Sequence, residues 1–165
     1  MAEITFKGDK VHTVGDLPQE GSQAPDFKLT DKNLDDVKLS TLKGKKVILN
    51  IFPSLDTSVC AQSVREFNKR ATAMDNTLVL SVSKDLPFAH SRFCTSEGID
   101  NVISASEFKN NEFGETYGVS IADGPLSGLF SRAVVVIDED GKVKYTQQVP
   151  EIADEPDYDA AINAL

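Results

Sequence analysis

Between Val47 and Phe52 the chain reads Val-Ile-Leu-Asn-Ile-Phe, an almost unbroken apolar run that Pro53 stops. A strand with one wet face alternates polar and apolar residues, so a run of strand length that does not alternate has to be covered on both sides. Leu78-Val79-Leu80-Ser81-Val82-Ser83 repeats the pattern. Between the two, Cys60, Val64, Phe67, Ala71 and Met74 recur at steps of 4, 3, 4 and 3, which predicts a helix to about Met74, with Asp56 or Thr57 as its N-cap. Two buried strands joined by a helix need helices on the sheet faces, which excludes an all-β or a purely helical architecture.

The remaining segments fill in this frame. Ile4 to Phe6 and Val11 to Val14 form a hairpin around Gly8, and Phe27 to Leu29 pairs with Val37 to Leu39. A second helix starts between Asp85 and Pro87, since Pro suits a first turn, and stops at Gly98. Val102 to Ser104 is a short strand, and Glu107 to Tyr117 a third helix. Ala133 to Asp138 and Val143 to Val149 form a hairpin turned through Asp140-Gly141, and Asp157 to Leu165 is a closing helix. The fold class is an α/β sandwich with a mixed sheet plus an N-terminal hairpin.

Length and charge narrow the role. The 165 residues suit a single domain, and a chain of that size buries roughly 70% of its unfolded surface, so a core forms without staples. Seventeen basic against 26 acidic residues leave a net charge of −9, which repels phosphate backbones and anionic lipid and sets nucleic-acid and membrane roles aside. The first twenty residues contain no export-signal pattern, and no apolar stretch reaches spanning length. The expectation is a cytoplasmic protein, where cysteines are more often catalytic than structural.

There are two cysteines. Cys60 falls in the opening turn of the first helix, where unpaired backbone N–H groups and the helix dipole favour a thiolate. The stake is large. A thiol with pKa about 8.5 is only about 3% ionised at pH 7, whereas one shifted to about 6 is about 90% ionised. Position alone leaves alternatives open: Cys60 as a packing residue beside Val64 and Phe67, Thr57 and Asp56 as plain caps, Cys94 as a buried helix cysteine, and Arg132 as a strand-edge partner in a surface ion pair.

Resemblance decides among them. Pro53-x-x-x-Thr57-x-x-Cys60 at a strand-to-helix turn resembles the peroxidatic motif of the peroxiredoxins. Phe52 to Thr57, Asp85 to Ala89 with Ser91 to Cys94, Ile121 to Leu126 leading to Arg132 to Asp138, and Glu155 to Tyr158 resemble the bacterial thiol peroxidase branch, in order and over nearly the whole chain. The resemblance implies a single thioredoxin-like domain over residues 1–165, with Cys60 as peroxidatic nucleophile and Cys94 as resolving cysteine. It implies an intramolecular Cys60–Cys94 disulfide, Pro53 shielding the pocket, Thr57 hydrogen-bonding thiolate and peroxide, and Arg132 holding the thiolate ionised. It also implies hydroperoxide substrates, thioredoxin as reductant, a homodimer, and no haem, flavin or metal. An always-charged, many-donor guanidinium suits that role physically.

The spacing adds one expectation of its own. Cys94 lies about 12 Å along the second helix from Leu86, whereas bridged Cα atoms come within about 7 Å, so the disulfide requires local unwinding. Other signals are weak: His12 and His90 form no zinc-like set, Gly124 and Gly128 flank a loop without a phosphate pattern, and no Cys-x-x-Cys is present. Two rival classes stand beside the peroxidase reading: a thiol–disulfide oxidoreductase without peroxidase activity, and a redox-silent binding module on the same fold.

Overall fold

The structure is a computed structural model that describes residues 1–165. Its main sheet has seven strands in the order β4-β3-β7-β6-β5-β8-β9. The strands are β3 (Lys28–Thr30), β4 (Asp36–Lys38), β5 (Lys46–Ile51), β6 (Thr77–Ser83), β7 (Ile103–Ser106), β8 (Ala133–Ile137) and β9 (Val143–Gln148). β5, β6 and β7 run parallel, and the flanking pairs are antiparallel, which makes the sheet mixed as expected. The hairpin β1 (Glu3–Phe6) and β2 (Asp9–His12) stands apart as its own two-stranded sheet.

The non-alternating apolar run of β5 is explained by what it meets. Leu49 and Ile51 pack into a core with Phe27, Phe113, Tyr117 and Phe130 on one face. Ile48 turns the other way, onto Phe67, Val134 and Ala161. Each of these side chains is almost wholly buried, which stabilises by about 1.5–3 kcal/mol per large apolar residue.

Helices α1 (Ser58–Ala71) and α2 (Pro87–Glu97) are the crossovers β5-α1-β6 and β6-α2-β7. Such crossovers are right-handed almost without exception, and these two step in the same direction along the sheet. Both helices therefore fall on one face, and both start from the end where the parallel strands finish. That topology puts Cys60 and Cys94 into one buried cluster with Phe52, Leu55, Val64 and Ile99.

Several element bounds shift. The first helix ends at Ala71 rather than Met74. The third helix, expected over Glu107 to Tyr117, is only α3 (Glu112–Thr116). Glu107 lies outside it as a buried carboxylate that accepts the N–H groups of Phe113 and Gly114, capping the short helix from a distance. The closing helix α4 (Tyr158–Asn163) is capped by the Asp157 side chain, which accepts from Ala160 N at 3.0 Å. Gly98 ends α2 at φ 65°, the left-handed turn that glycine adopts without Cβ strain. No helix is long and apolar enough to cross a membrane.

Candidate active site

Pro53 ends β5 because it cannot extend the hydrogen-bond ladder, and the loop Pro53 to Thr57 turns the chain into α1. Thr57 occupies the N-cap position with extended backbone, yet it makes no side-chain cap; its hydroxyl donates instead to the Ser54 carbonyl oxygen at 3.1 Å. Asp56 does not cap either and pairs at the surface with Arg92 at 3.4 Å. The expectation that one of them caps the helix is thus corrected. Both side chains are drawn into tighter or solvent-facing contacts. The first backbone bond at this end of α1 is Ala61 N to Thr57 O at 3.0 Å, so the N–H groups of the opening turn, Cys60 included, stay available. The uncapped helix start concentrates positive potential at the cysteine.

Cys60 is fully buried, and Arg132 Nη2 donates to its sulfur at 3.1 Å. Arg132 arrives from the start of β8, which pairs directly with β5, and is itself only 1% exposed. Its Nε donates to the Ile152 carbonyl oxygen at 2.7 Å, while Nη1 is buried without a partner. No carboxylate forms an ion pair with it. A buried, unpaired guanidinium is costly, and the group within its reach that can carry the balancing charge is the Cys60 sulfur.

Over this point opens a cavity of about 280 Å³, lined by Pro53, Thr57, Val59, Phe6, Leu129 and Ile152 among others. The lining is mainly apolar, and it includes the loop and helix residues on the N-terminal side of Cys60 but not Cys60 itself. Another cavity, of about 290 Å³, sits at the opposite end of β5 and contains neither cysteine.

Cys94 opens the last turn of α2, and its sulfur lies 3.7 Å from the Ser104 hydroxyl on β7. Both cysteines are free thiols. The structure thus brings Pro53, Thr57, Cys60 and Arg132 around one point, with Cys94 in the adjoining apolar cluster. Thr57 is the exception in detail, since its hydroxyl bonds Ser54 and not the sulfur.

Sequence reasoning missed the support around these groups. Asp85 accepts Ser54 Oγ and Leu55 N, each at 2.8 Å, and Ser83 Oγ at 2.7 Å. His90 Nε2 meets Ser83 Oγ at 3.1 Å, and burial pushes the imidazole pKa down to about 4 against the raising influence of Asp85. The Ile152 carbonyl, which orients Arg132, lies in an irregular segment whose sequence carries no motif signal. Only the Asp-Leu-Pro block hinted at Asp85.

Comparison with known proteins agrees with this geometry. The Redoxin family matches residues 19–162. A thiol peroxidase of Mycobacterium tuberculosis is 58% identical over 165 residues, covering 100% of this chain and 99% of that protein. The crystal structure of a peroxiredoxin-like protein from Aquifex aeolicus superimposes with a TM-score of 0.93 at 40% identity, over 99% of this chain and 95% of that one. A thiol peroxidase from Chromobacterium violaceum, 23% identical, shares the fold with a TM-score of 0.89 over 97% of this chain and 93% of that one. By family match and full-length identity together, this chain belongs to the Redoxin family and, within it, to the thiol peroxidases, which are peroxiredoxin-type oxidoreductases.

Proposed function

We propose that the protein reduces hydrogen peroxide and organic hydroperoxides through Cys60, resolves the product with Cys94, and is recycled by thioredoxin as part of antioxidant defence. The observation that carries this reading is the buried Arg132 guanidinium, with Nη2 3.1 Å from the Cys60 sulfur and Nη1 left without an acceptor. One arm supplies the counter-charge for a thiolate; the other offers a donor to a bound peroxide.

The sulfur attacks the distal peroxide oxygen along the O–O axis. The S–O bond forms as O–O breaks, giving Cys60 sulfenic acid and an alkoxide or hydroxide that takes up a proton and leaves as alcohol or water. The charge that moves onto the leaving oxygen develops beside a fixed cation and open helix N–H groups, a preorganised arrangement. Thr57 turns its hydroxyl from Ser54 to the peroxide, and Pro53 shields the reacting atoms. The apolar cavity lining accommodates the carbon skeleton of an organic hydroperoxide.

The Cys94 thiol then condenses with the sulfenic acid, forming S–S and releasing water, and thiol–disulfide exchange with a dithiol restores both cysteines. The full 165 residues act as one domain, in the cytoplasm and as a homodimer, without nucleic-acid or membrane partners. One equivalent of hydroperoxide should leave the reduced protein lighter by two hydrogens, with the bridge mapping to Cys60 and Cys94. Peroxide should also oxidise it far faster than a disulfide does. Undiminished peroxide turnover in Cys60→Ser would overturn the assignment.

A further inference from the structure

Asp85 sits in the turn between β6 and α2, and its carboxylate gathers hydrogen bonds from two separate parts of the chain. From the loop over Cys60 it accepts Ser54 Oγ and Leu55 N; from β6 it accepts Ser83 Oγ. The protons of this network are fixed by counting. Ser83 has one hydroxyl proton, which goes to Asp85, and its oxygen already accepts Asp85 N–H at 3.2 Å. The 3.1 Å contact with His90 must therefore be Nε2–H donating to that oxygen, which places a ring proton on Nε2, and burial, by lowering the imidazole pKa to about 4, keeps the ring neutral near pH 7. His90 is four residues before Cys94 on α2, and both are buried. A continuous set of bonds thus joins the Ser54–Leu55 loop, through Asp85 and Ser83, to the helix that carries Cys94.

Beyond the packing of Pro53 and Leu55, the loop has few other hydrogen bonds to hold it. Apart from the Asp85 bonds, the side-chain hydrogen bond that reaches Pro53 to Thr57 from outside is Arg92 to Asp56, an exposed pair at 3.4 Å, and Arg92 also belongs to α2. Exposed pairs of that kind contribute about 0–1 kcal/mol, whereas hydrogen bonds to a charged carboxylate are the stronger class.

The geometry points to Asp85 as a positioning residue: it fastens the loop that floors the Cys60 cavity to the root of the Cys94 helix. The loop is then closed while α2 is folded and released when α2 opens to form the disulfide. This rests on the roles proposed above for the two cysteines. Its consequence is that one carboxylate favours the peroxide step and restrains the resolving step.

The chain has no Trp, so the two steps are best read by rapid quench and mass spectrometry, as gain of one oxygen at Cys60 and then loss of water to the bridge. Asp85→Asn keeps the side-chain shape but cannot accept at both positions. It is expected to slow oxygen gain about tenfold and to speed bridge formation about threefold, the size expected from loosening charge-assisted bonds. Ser54→Ala removes only the loop-side hydroxyl and is expected to give the same opposed pair of changes, each smaller, which covers the case where Asp85→Asn folds poorly. A merely structural defect would not accelerate the second step. Two steps that fail to move in opposite directions in both variants would overturn the proposal. Absence of any oxygen gain at Cys60 in the unaltered protein would instead remove the functional reading beneath it, a result visible before any variant is made.

Discussion

Cys60 and Cys94 are both buried, both on helices over the same sheet face, and both in one apolar cluster, yet they sit in opposite electrostatic settings. Cys60 lies in the uncapped opening turn of its helix and receives a hydrogen bond from a buried guanidinium. Cys94 lies in the last turn of α2, where the backbone N–H groups are used inside the helix, and its sulfur meets only a neutral serine hydroxyl. Burial is therefore not what distinguishes the two cysteines, and under the roles proposed for them the fixed positive groups around the Cys60 sulfur are what would set it apart. The contrast with α4 makes the same point from the backbone side. Asp157 caps that helix in the ordinary way, while Thr57, at the equivalent position of α1, turns aside and leaves the donors open.

The sharpest way to break the contrast is to remove the cation. Arg132→Met should lower the peroxide rate constant about 10²–10³-fold, the usual size for losing a preorganised donor at developing charge. Arg132→Lys should recover only part of it, because an ammonium cannot hold Ile152 O and the sulfur in one planar fork. Rapid-quench rates at fixed pH check both, and equal rates in all three proteins would show that the Cys60 setting is electrostatically ordinary. Cys94→Ser tests the other member. It should leave the first oxidation close to normal and stop the cycle after one turnover, with sulfenic acid accumulating where the unaltered protein is expected to form a disulfide.

Thr57→Val is expected to be milder, about tenfold in the peroxide step, because its hydroxyl is one of several donors and rests on Ser54 O in the unliganded geometry. The effect should fall on the rate with peroxide and spare the reduction of the disulfide by thioredoxin.

The difference between the two cysteines was only half legible in the sequence. The strand-to-helix turn and its place at the end of a buried strand follow from hydrophobic pattern and Pro53, and they put Cys60 at a helix start without any tertiary information. Arg132 is another matter. It lies far along the chain, and only the antiparallel pairing of β8 with β5 brings it to the sulfur, a long-range fact that local periodicity does not encode. Resemblance to a family supplied that link. The network of Asp85, Ser83 and His90 was illegible for a related reason: short polar residues at a strand end read as turn or cap formers, a lone histidine on a helix reads as packing, and the bonds among them appear only when two parallel strands end side by side. The shortened third helix has the same origin, since Glu107 looks like a helix former and instead spends its carboxylate on the donors of Phe113 and Gly114.

The smallest effect on turnover, and the cleanest on stability, concerns the Cys94 side. Burial pushes the His90 pKa down to about 4, below the ordinary value near 6.5, so between those two values the unfolded chain binds a proton that the folded chain refuses. Linkage then gives the sign: this contribution to stability is complete above about pH 6.5 and is lost as the pH falls towards 4. A shift of that size corresponds to something on the order of 3 kcal/mol. His90→Gln keeps an N–H for Ser83 but cannot ionise, so urea unfolding at pH 7 and pH 4.5 should show a smaller pH dependence in the variant. Carboxylates elsewhere contribute to the acid slope of both proteins equally, and the difference between the two slopes isolates the imidazole. Identical slopes would mean that His90 is charged or solvated in the folded protein, and the neutral setting drawn for Cys94 on α2 would be wrong.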